Sequence, residues 1–263
     1  RPGQYRALAV TALGAQQVLA VLYWVDHSDP DLPFFNEQTE GLLDSRIMLS
    51  RSADAGQTWS VPVLVDTAPF RCPTPITGPV LLLADGSWAC QFELNKHYYD
   101  TAPWVHSSVL LFSADQGRTW PRHAVVSRDP TVFYWDQRPR VLPDGRILDL
   151  FWTYDNAAAR YLNIHARASA DNGRTWSPLW DTGGPGQPAP AAPLPDGRLA
   201  MVFVDRAAAP AIRCRCSADG GQSWPQETTV SVFESALSSQ TIAKQAMADA
   251  WSEMAAFAVG LPA

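Results

Sequence analysis

The side chains able to do chemistry gather into a few short segments of this chain. Phe133-Tyr134-Trp135-Asp136-Gln137-Arg138 places three aromatic rings, a carboxylate and a guanidinium within six residues. Tyr154-Asp155 and Glu93 each close an apolar run, and Arg71, Asp205 and Arg206 stand at similar turning points. The segment 26–44 adds Asp26, Asp29, Asp31, Glu37, Glu40 and Asp44, with Phe34 and Phe35 among them. Carboxylates can act as acid, base or nucleophile, flat rings cover sugar faces, and an arginine fork grips an anionic substituent. Carbohydrate is therefore the expected ligand class. The expected catalytic candidates are Asp26, Asp29, Glu93, Asp136, Tyr154 and Asp155, and the expected substrate-binding ones are Arg71, Trp135, Arg138 and Arg206. The bland alternatives are loop-to-strand packing around 133–138 and a solvated acidic insertion at 26–44. His97 reads as a surface or hydrogen-bonded histidine. No His/Asp/Glu spacing argues for a transition-metal site, and no cofactor is expected.

Composition narrows the class. The 263 residues, 46% hydrophobic and 17% charged, suffice for a sizeable core. A formal net charge of −6 without a basic block argues against nucleic acid or an anionic membrane as partner. No apolar run approaches the ~20 residues of a membrane span. No signal peptide is visible, and the start at Arg1-Pro2-Gly3 suggests a processed or cut product, which leaves the compartment open. The four cysteines, Cys72, Cys90, Cys214 and Cys216, form no CxxC pair and read as small buried hydrophobes.

What must position the candidates is a repeat. Ser52-Ala53-Asp54-Ala55-Gly56-Gln57-Thr58-Trp59 returns at 113–120, at 169–176 and, as Ser217-Ala218-Asp219-Gly220-Gly221-Gln222-Ser223-Trp224, a fourth time. The aspartates are 61, 56 and 48 residues apart. The Ser and Asp side chains are expected to bond backbone N–H groups of a tight turn, with Gly at positive φ. Trp59, Trp120, Trp176 and Trp224 are each expected to be largely buried between neighbouring sheets. Upstream, Leu142-Pro143-Asp144-Gly145-Arg146, Leu194-Pro195-Asp196-Gly197-Arg198 and the looser Leu83-Ala84-Asp85-Gly86-Ser87 are hairpin signals. Each unit reads as strand, Asp-Gly turn, strand, variable loop, strand, boxed turn, strand: one four-stranded propeller blade.

That plan sorts the residues. Both tight turns of a blade lie on one face of the disc, so the variable loops and the blade-to-blade connections line the other. From the first-hairpin glycine to the box serine the distances are 38, 27, 24 and 20 residues, so the first blade carries the longest loop there.

Four such boxes on this plan resemble the sialidase (BNR-repeat) superfamily, over roughly residues 5–235. The resemblance implies an all-β, six-bladed propeller, of which about four blades plus one strand are present. The blades are expected at about 5–66, 67–127, 128–181 and 182–235 of a single domain spanning 1–263, with 236–263 a partial blade or a helix. An incomplete ring implies an open arc with an unpaired edge. The resemblance also implies a glycoside hydrolase, and its residue pattern is met in part. Tyr5-Arg6-Ala7-Leu8 matches the first two residues of the family's Tyr-Arg-Ile-Pro motif, and Asp26 or Asp29 follows where the acid/base is expected. Asp136 and Tyr154-Asp155 stand where a glutamate and an arginine are expected, so the arginine triad is incomplete. Two other functions stay open: a carbohydrate-binding propeller without turnover, and a protein-docking scaffold. Oligomeric state is not fixed by these patterns.

Overall fold

The computed structural model describes residues 3–205 and 211–234. The expected strand or helix at 236–263 and the candidate Arg206 lie outside them. Among the described residues four antiparallel sheets follow one another along the chain, each a blade, and a small two-stranded ladder of Phe35–Asn36 with Gly41–Leu42 lies in the loop of the first. Blade 1 comprises Gly3–Ala12, Val18–Asp26, Ser45–Ser52 and Val63–Leu64. Blade 2 comprises Leu81–Leu82, Trp88–Leu94, Ser107–Ser113 and Arg122–Arg128. In blade 3, Val132–Trp135 and Arg140–Val141 share the first-strand position against Ile147–Asp155, followed by Asn163–Ser169 and Trp180–Pro185. In blade 4, Gln187–Pro188 and Ala192–Pro193 share it against Leu199–Asp205, followed by Ala211–Ser217 and Val230–Glu234. The arrangement is the all-β propeller that the repeat implies.

The boxes are turns between third and fourth strands, built alike. In the first, the Ser52 hydroxyl donates to Asp54 Oδ1 at 2.7 Å and accepts the Gly56 N–H at 2.8 Å. Asp54 accepts the Thr58 N–H at 2.8 Å and the Thr58 hydroxyl at 2.6 Å. Two successive residues are left-handed: Ala55 and Gly56, Gln116 and Gly117, Asn172 and Gly173, Gly220 and Gly221. The residue before the expected glycine thus shares the strain.

The core lies between blades rather than within them. Leu19, Val21, Ile47 and Leu49 of blade 1 pack on Cys90, Phe92, Val109 and Leu111 of blade 2. Leu110 and Phe112, pointing the other way, pack on Ile147 and Phe151 of blade 3. Leu148 and Leu150 in turn meet Leu199, Met201 and Phe203 of blade 4. A strand buried on both faces reads as an unbroken apolar run, as Val109-Leu110-Leu111-Phe112 does.

This packing corrects one expectation. Each box seats on the blade before it: a Cβ at Gly173 would lie 2.5 Å from the Phe112 ring, and one at Gly221 would lie 2.6 Å from Leu148. Trp120 and Trp224 are accordingly buried at 7% and 4% exposure, and Trp176 is half-buried. Trp59 is 42% exposed, because no blade precedes its box among the described residues. The outward face of blade 1 shows the same lack, with Tyr5, Leu8 and Val10 exposed, as does blade 4 with Val230, Val232 and Phe233. Of the cysteines only Cys90 is buried; Cys72, Cys214 and Cys216 are half-buried. The last two lie on the blade 4 strand Ala211–Ser217, alternating with Arg213 and Arg215.

Candidate functional site

The densest polar cluster forms where blades 2, 3 and 4 meet. Glu93 sits near the end of the second strand of blade 2 and is 8% exposed. Asp136 occupies the break in the first strand of blade 3, at a left-handed φ of 50°. The break has a physical origin in the neighbouring blade. The Gln137 side chain turns inward and donates to the Phe92 and Val109 carbonyls of blade 2, at 2.7 and 3.0 Å. Asp136, next to it, is thereby held out of the ladder, and its N–H donates to Glu93 Oε1.

Around this link the charges are arranged closely. Asp136 Oδ2 accepts the Gln187 side-chain amide from blade 4 and lies 3.8 Å from Arg138. Arg138 donates to the Thr77 carbonyl at 2.5 Å. His106, wholly buried, brings Nε2 to 3.3 Å from Glu93 Oε2. Asp149, on the second strand of blade 3, is fully buried, and neither oxygen makes a well-formed hydrogen bond among the described residues. Burial pushes its carboxyl well above the ordinary range; the N–H and charge of Arg138 oppose that, and Glu93 adds to it.

An aromatic wall adjoins the cluster. Trp135 stacks on Tyr154 at 5.2 Å and 13°, and Trp152 stacks on Tyr161 at 5.1 Å and 5°. Trp135 also meets Trp152 at 5.5 Å, and Trp104 stacks on it at 6.4 Å. Trp135, Trp152 and Tyr161 are half-buried and offer ring surface, whereas Tyr154 is 1% exposed. Burial raises the Tyr154 phenol, and the charges of Asp155 and Glu40 raise it further.

The structure therefore brings together Glu93, Asp136, Arg138, Trp135 and Tyr154. Asp155 follows directly, its Oδ1 accepting the Ala158 N–H at 2.9 Å to close a turn. Asp26 and Asp29 serve turns of the blade 1 loop, accepting the N–H groups of Ser28 and Asp31 at 2.9 and 3.1 Å. That loop folds against the 95–106 connection: Asn36 and Thr39 donate to the Tyr98 carbonyl, and His97 lies 3.0 Å from Asp44. It is Glu40 whose charge reaches Tyr154. Arg71 stands exposed, 3.6 Å from Asp66. Sequence reasoning missed His106, Asp149, Gln187 and Tyr161. Asp149 had a signal, a lone carboxylate inside Ile147-Leu148-Asp149-Leu150-Phe151. Among the described residues no three His, Cys, Asp or Glu side chains are grouped to hold a metal ion.

Solved propellers share this architecture. A Dyadobacter fermentans protein of unknown function aligns with a TM-score of 0.68 at 19% identity, over 90% of this chain and 66% of that one. A Hadza microbial sialidase aligns at 0.55 and 19% identity, over 83% of this chain and 43% of its own. The α-L-arabinofuranosidase of Fusarium graminearum, in complex with an iminosugar inhibitor, aligns at 0.59 and 14% identity, over 87% of this chain and 66% of its own. The chain thus spans less than two thirds of the length of these structures. No protein of curated function matches it in sequence. The BNR repeat-like domain pattern matches residues 23–231, most of the chain, and with four boxed turns on four blades the chain belongs to that family.

Proposed function

We propose that this chain carries the sugar-binding face of a glycoside hydrolase, with Glu93 and Asp136 as its carboxyl pair. The observation that carries the reading is their direct link: the Asp136 N–H bonds Glu93 Oε1, so two acids from different blades share one site beside an aromatic wall. Glycosidases need such a pair, one acid to protonate the leaving oxygen and one carboxylate to act at the anomeric carbon or on a water. Asp136 is the more exposed member, with a third of its side chain open to solvent, and is placed to meet the sugar. Trp135, Trp152 and Tyr161 would lie against the ring, and Arg138 would take an anionic substituent. Fold-level likeness to a sialidase and an arabinofuranosidase supports carbohydrate as the substrate class and leaves the sugar open.

A non-catalytic glycan-binding propeller is the second reading. It is favoured by the burial of Glu93, which spends one oxygen on a backbone N–H. Turnover of a panel of aryl glycosides, sialosides included, separates the two. The first reading expects Glu93→Gln and Asp136→Asn to lower kcat by about 10²–10⁴ while remaining folded. Asp26→Asn and Asp29→Asn test the blade 1 loop in the same assay. A wild type that binds glycans without turnover would favour the second reading.

A further inference from the structure

A second polar recess lies apart from the Glu93–Asp136 pair, between the outer strand of blade 3 and the third strand of blade 4. It is an open cleft of about 560 Å³, lined by Asn163, Asp205, Arg213, Arg215, Gln226 and Thr229, with glycine and proline completing the wall. Arg213 and Arg215 alternate along the strand Ala211–Ser217 and so present both guanidiniums to one side.

The two arginines differ in how their charge is met. Arg213 lies 2.9 Å from Asp205 Oδ2 and 3.9 Å from Glu234. Arg215 is only 5% exposed. Its partners are the Thr229 hydroxyl at 2.9 Å and the Trp224 carbonyl at 3.5 Å, with the Phe203 ring 5.7 Å away. No carboxylate lies within ion-pair distance of it among the described residues, the ion pairs of that strand being those of Arg213. A buried guanidinium is costly unless a negative charge compensates it. Burial pulls its pKa below the ordinary arginine value, and the more distant charges of Asp205 and Glu227 oppose that in part. The Asp205 carboxylate in the wall is taken up by Arg213, and the remaining amide and hydroxyl groups offer hydrogen bonds to a small hydrophilic ligand, with Arg215 the guanidinium that has no carboxylate in direct contact.

We infer that this inter-blade cleft binds an oxyanion group, carboxylate, sulfate or phosphate, of a small polar molecule, with Arg215 as its main anchor. The arginine fork holds two such oxygens at once, and Asn163 and Gln226 supply donors at the rim.

The test is calorimetric titration of the 263-residue chain with inorganic phosphate, inorganic sulfate and acetate, beside Arg215→Met, Arg215→Lys and Arg118→Met. Saturable binding of at least one probe is expected, weakened about tenfold or more in Arg215→Met. Arg215→Lys keeps the charge and loses the fork, so it should bind weakly as well. Arg118→Met removes an exposed positive charge outside the cleft and should bind as wild type does, which separates a site at Arg215 from a general loss of charge. The winning probe tells a tetrahedral anion from a carboxylate. Met at a buried cation site is a tolerated substitution, and a thermal melt with each titration confirms folding. Binding of none of the three probes, or binding undiminished in a folded Arg215→Met, overturns the inference.

Discussion

Glu93 and Asp136, on different blades and 43 residues apart, are joined by one hydrogen bond from the Asp136 backbone to the Glu93 carboxylate. The link makes the conformation of residue 136 depend on an acceptor at residue 93. Replacing Glu93 by Gln keeps an acceptor in place, while Glu93→Ala removes it and frees the left-handed Asp136 segment. In glycan binding followed by tryptophan fluorescence, Glu93→Gln should stay close to wild type. Glu93→Ala should weaken binding about tenfold, because Trp135 sits on the same segment. Equal behaviour of the two variants would show that the link does not position the wall.

The boxed turns predict an acid limit to stability. The Thr58 hydroxyl and N–H, then the Ser52 hydroxyl, hold Asp54 down to about 2. Burial opposes the shift at Asp219, and the Ser223 hydroxyl and N–H outweigh it to leave about 2. Asp115 and Asp171 are held lower still by the Thr119 and Thr175 side chains. A depressed folded pKa means that the unfolded chain binds protons first as pH falls. The stabilisation is therefore present above about pH 4 and is lost as pH drops through about 2. Chemical denaturation at a series of acid pH values should show this slope. Substituting Asn at all four box aspartates should flatten it.

How far the sequence reaches is clear from particular residues. The four boxes and the Asp-Gly hairpins exposed the blades, because their turn chemistry is local and leaves a fixed residue pattern. Trp59 was misread because its burial depends on a neighbouring blade and not on its own box. Glu93, Asp136 and Arg138 were recognisable as ends of strands on one face. Their mutual bond was not, since it depends on how Gln137 inserts between the Phe92 and Val109 carbonyls. His106 lies in a connection without period or motif, so nothing local marked it.

Asp149 gives a pH prediction of the opposite sign. Its folded carboxyl is raised, first by burial, so the folded state holds its proton where the unfolded chain has lost it. Stability tied to this group is complete below about pH 4 and falls as pH rises toward the folded value. Asp149→Asn keeps the shape and cannot ionise. Its melting temperature should exceed that of wild type at pH 8, with the difference shrinking toward pH 4. A wild type and an Asp149→Asn variant with parallel profiles would show that Asp149 is not held protonated.

The packing of boxes on the preceding blade predicts unequal costs for equal truncations. Trp224→Ala removes a ring buried against blade 3, whose Nε1 also donates to the Gly221 carbonyl at 3.0 Å. That should cost about 3–5 kcal/mol in urea denaturation, as large core truncations do. Trp59→Ala removes a ring already 42% exposed and should cost no more than about 1–2 kcal/mol. Similar costs at the two sites would mean that something covers Trp59.

That possibility leads to the association state. Tyr5, Leu8 and Val10 on the first strand, with Leu64 of the fourth strand in register with Leu8 through Leu22 and Met48, leave an apolar face open on blade 1. Val230, Val232 and Phe233 leave another on blade 4, at the opposite end of the sheet order. The two faces differ in composition, so copies would join head to tail rather than face to face, and a head-to-tail contact that does not close grows into chains. A contiguous exposed apolar surface of this kind is unstable in water as a monomer face. The 263-residue chain should therefore show concentration-dependent association by sedimentation velocity. Leu8→Lys on the first face, or Val232→Lys on the second, should each shift it toward monomer without lowering its melting temperature. Both substitutions fall at exposed positions, so the core between blades is left intact. A chain that sediments as a single monomeric species across a dilution series, with both variants indistinguishable from it, would show that these faces are already covered.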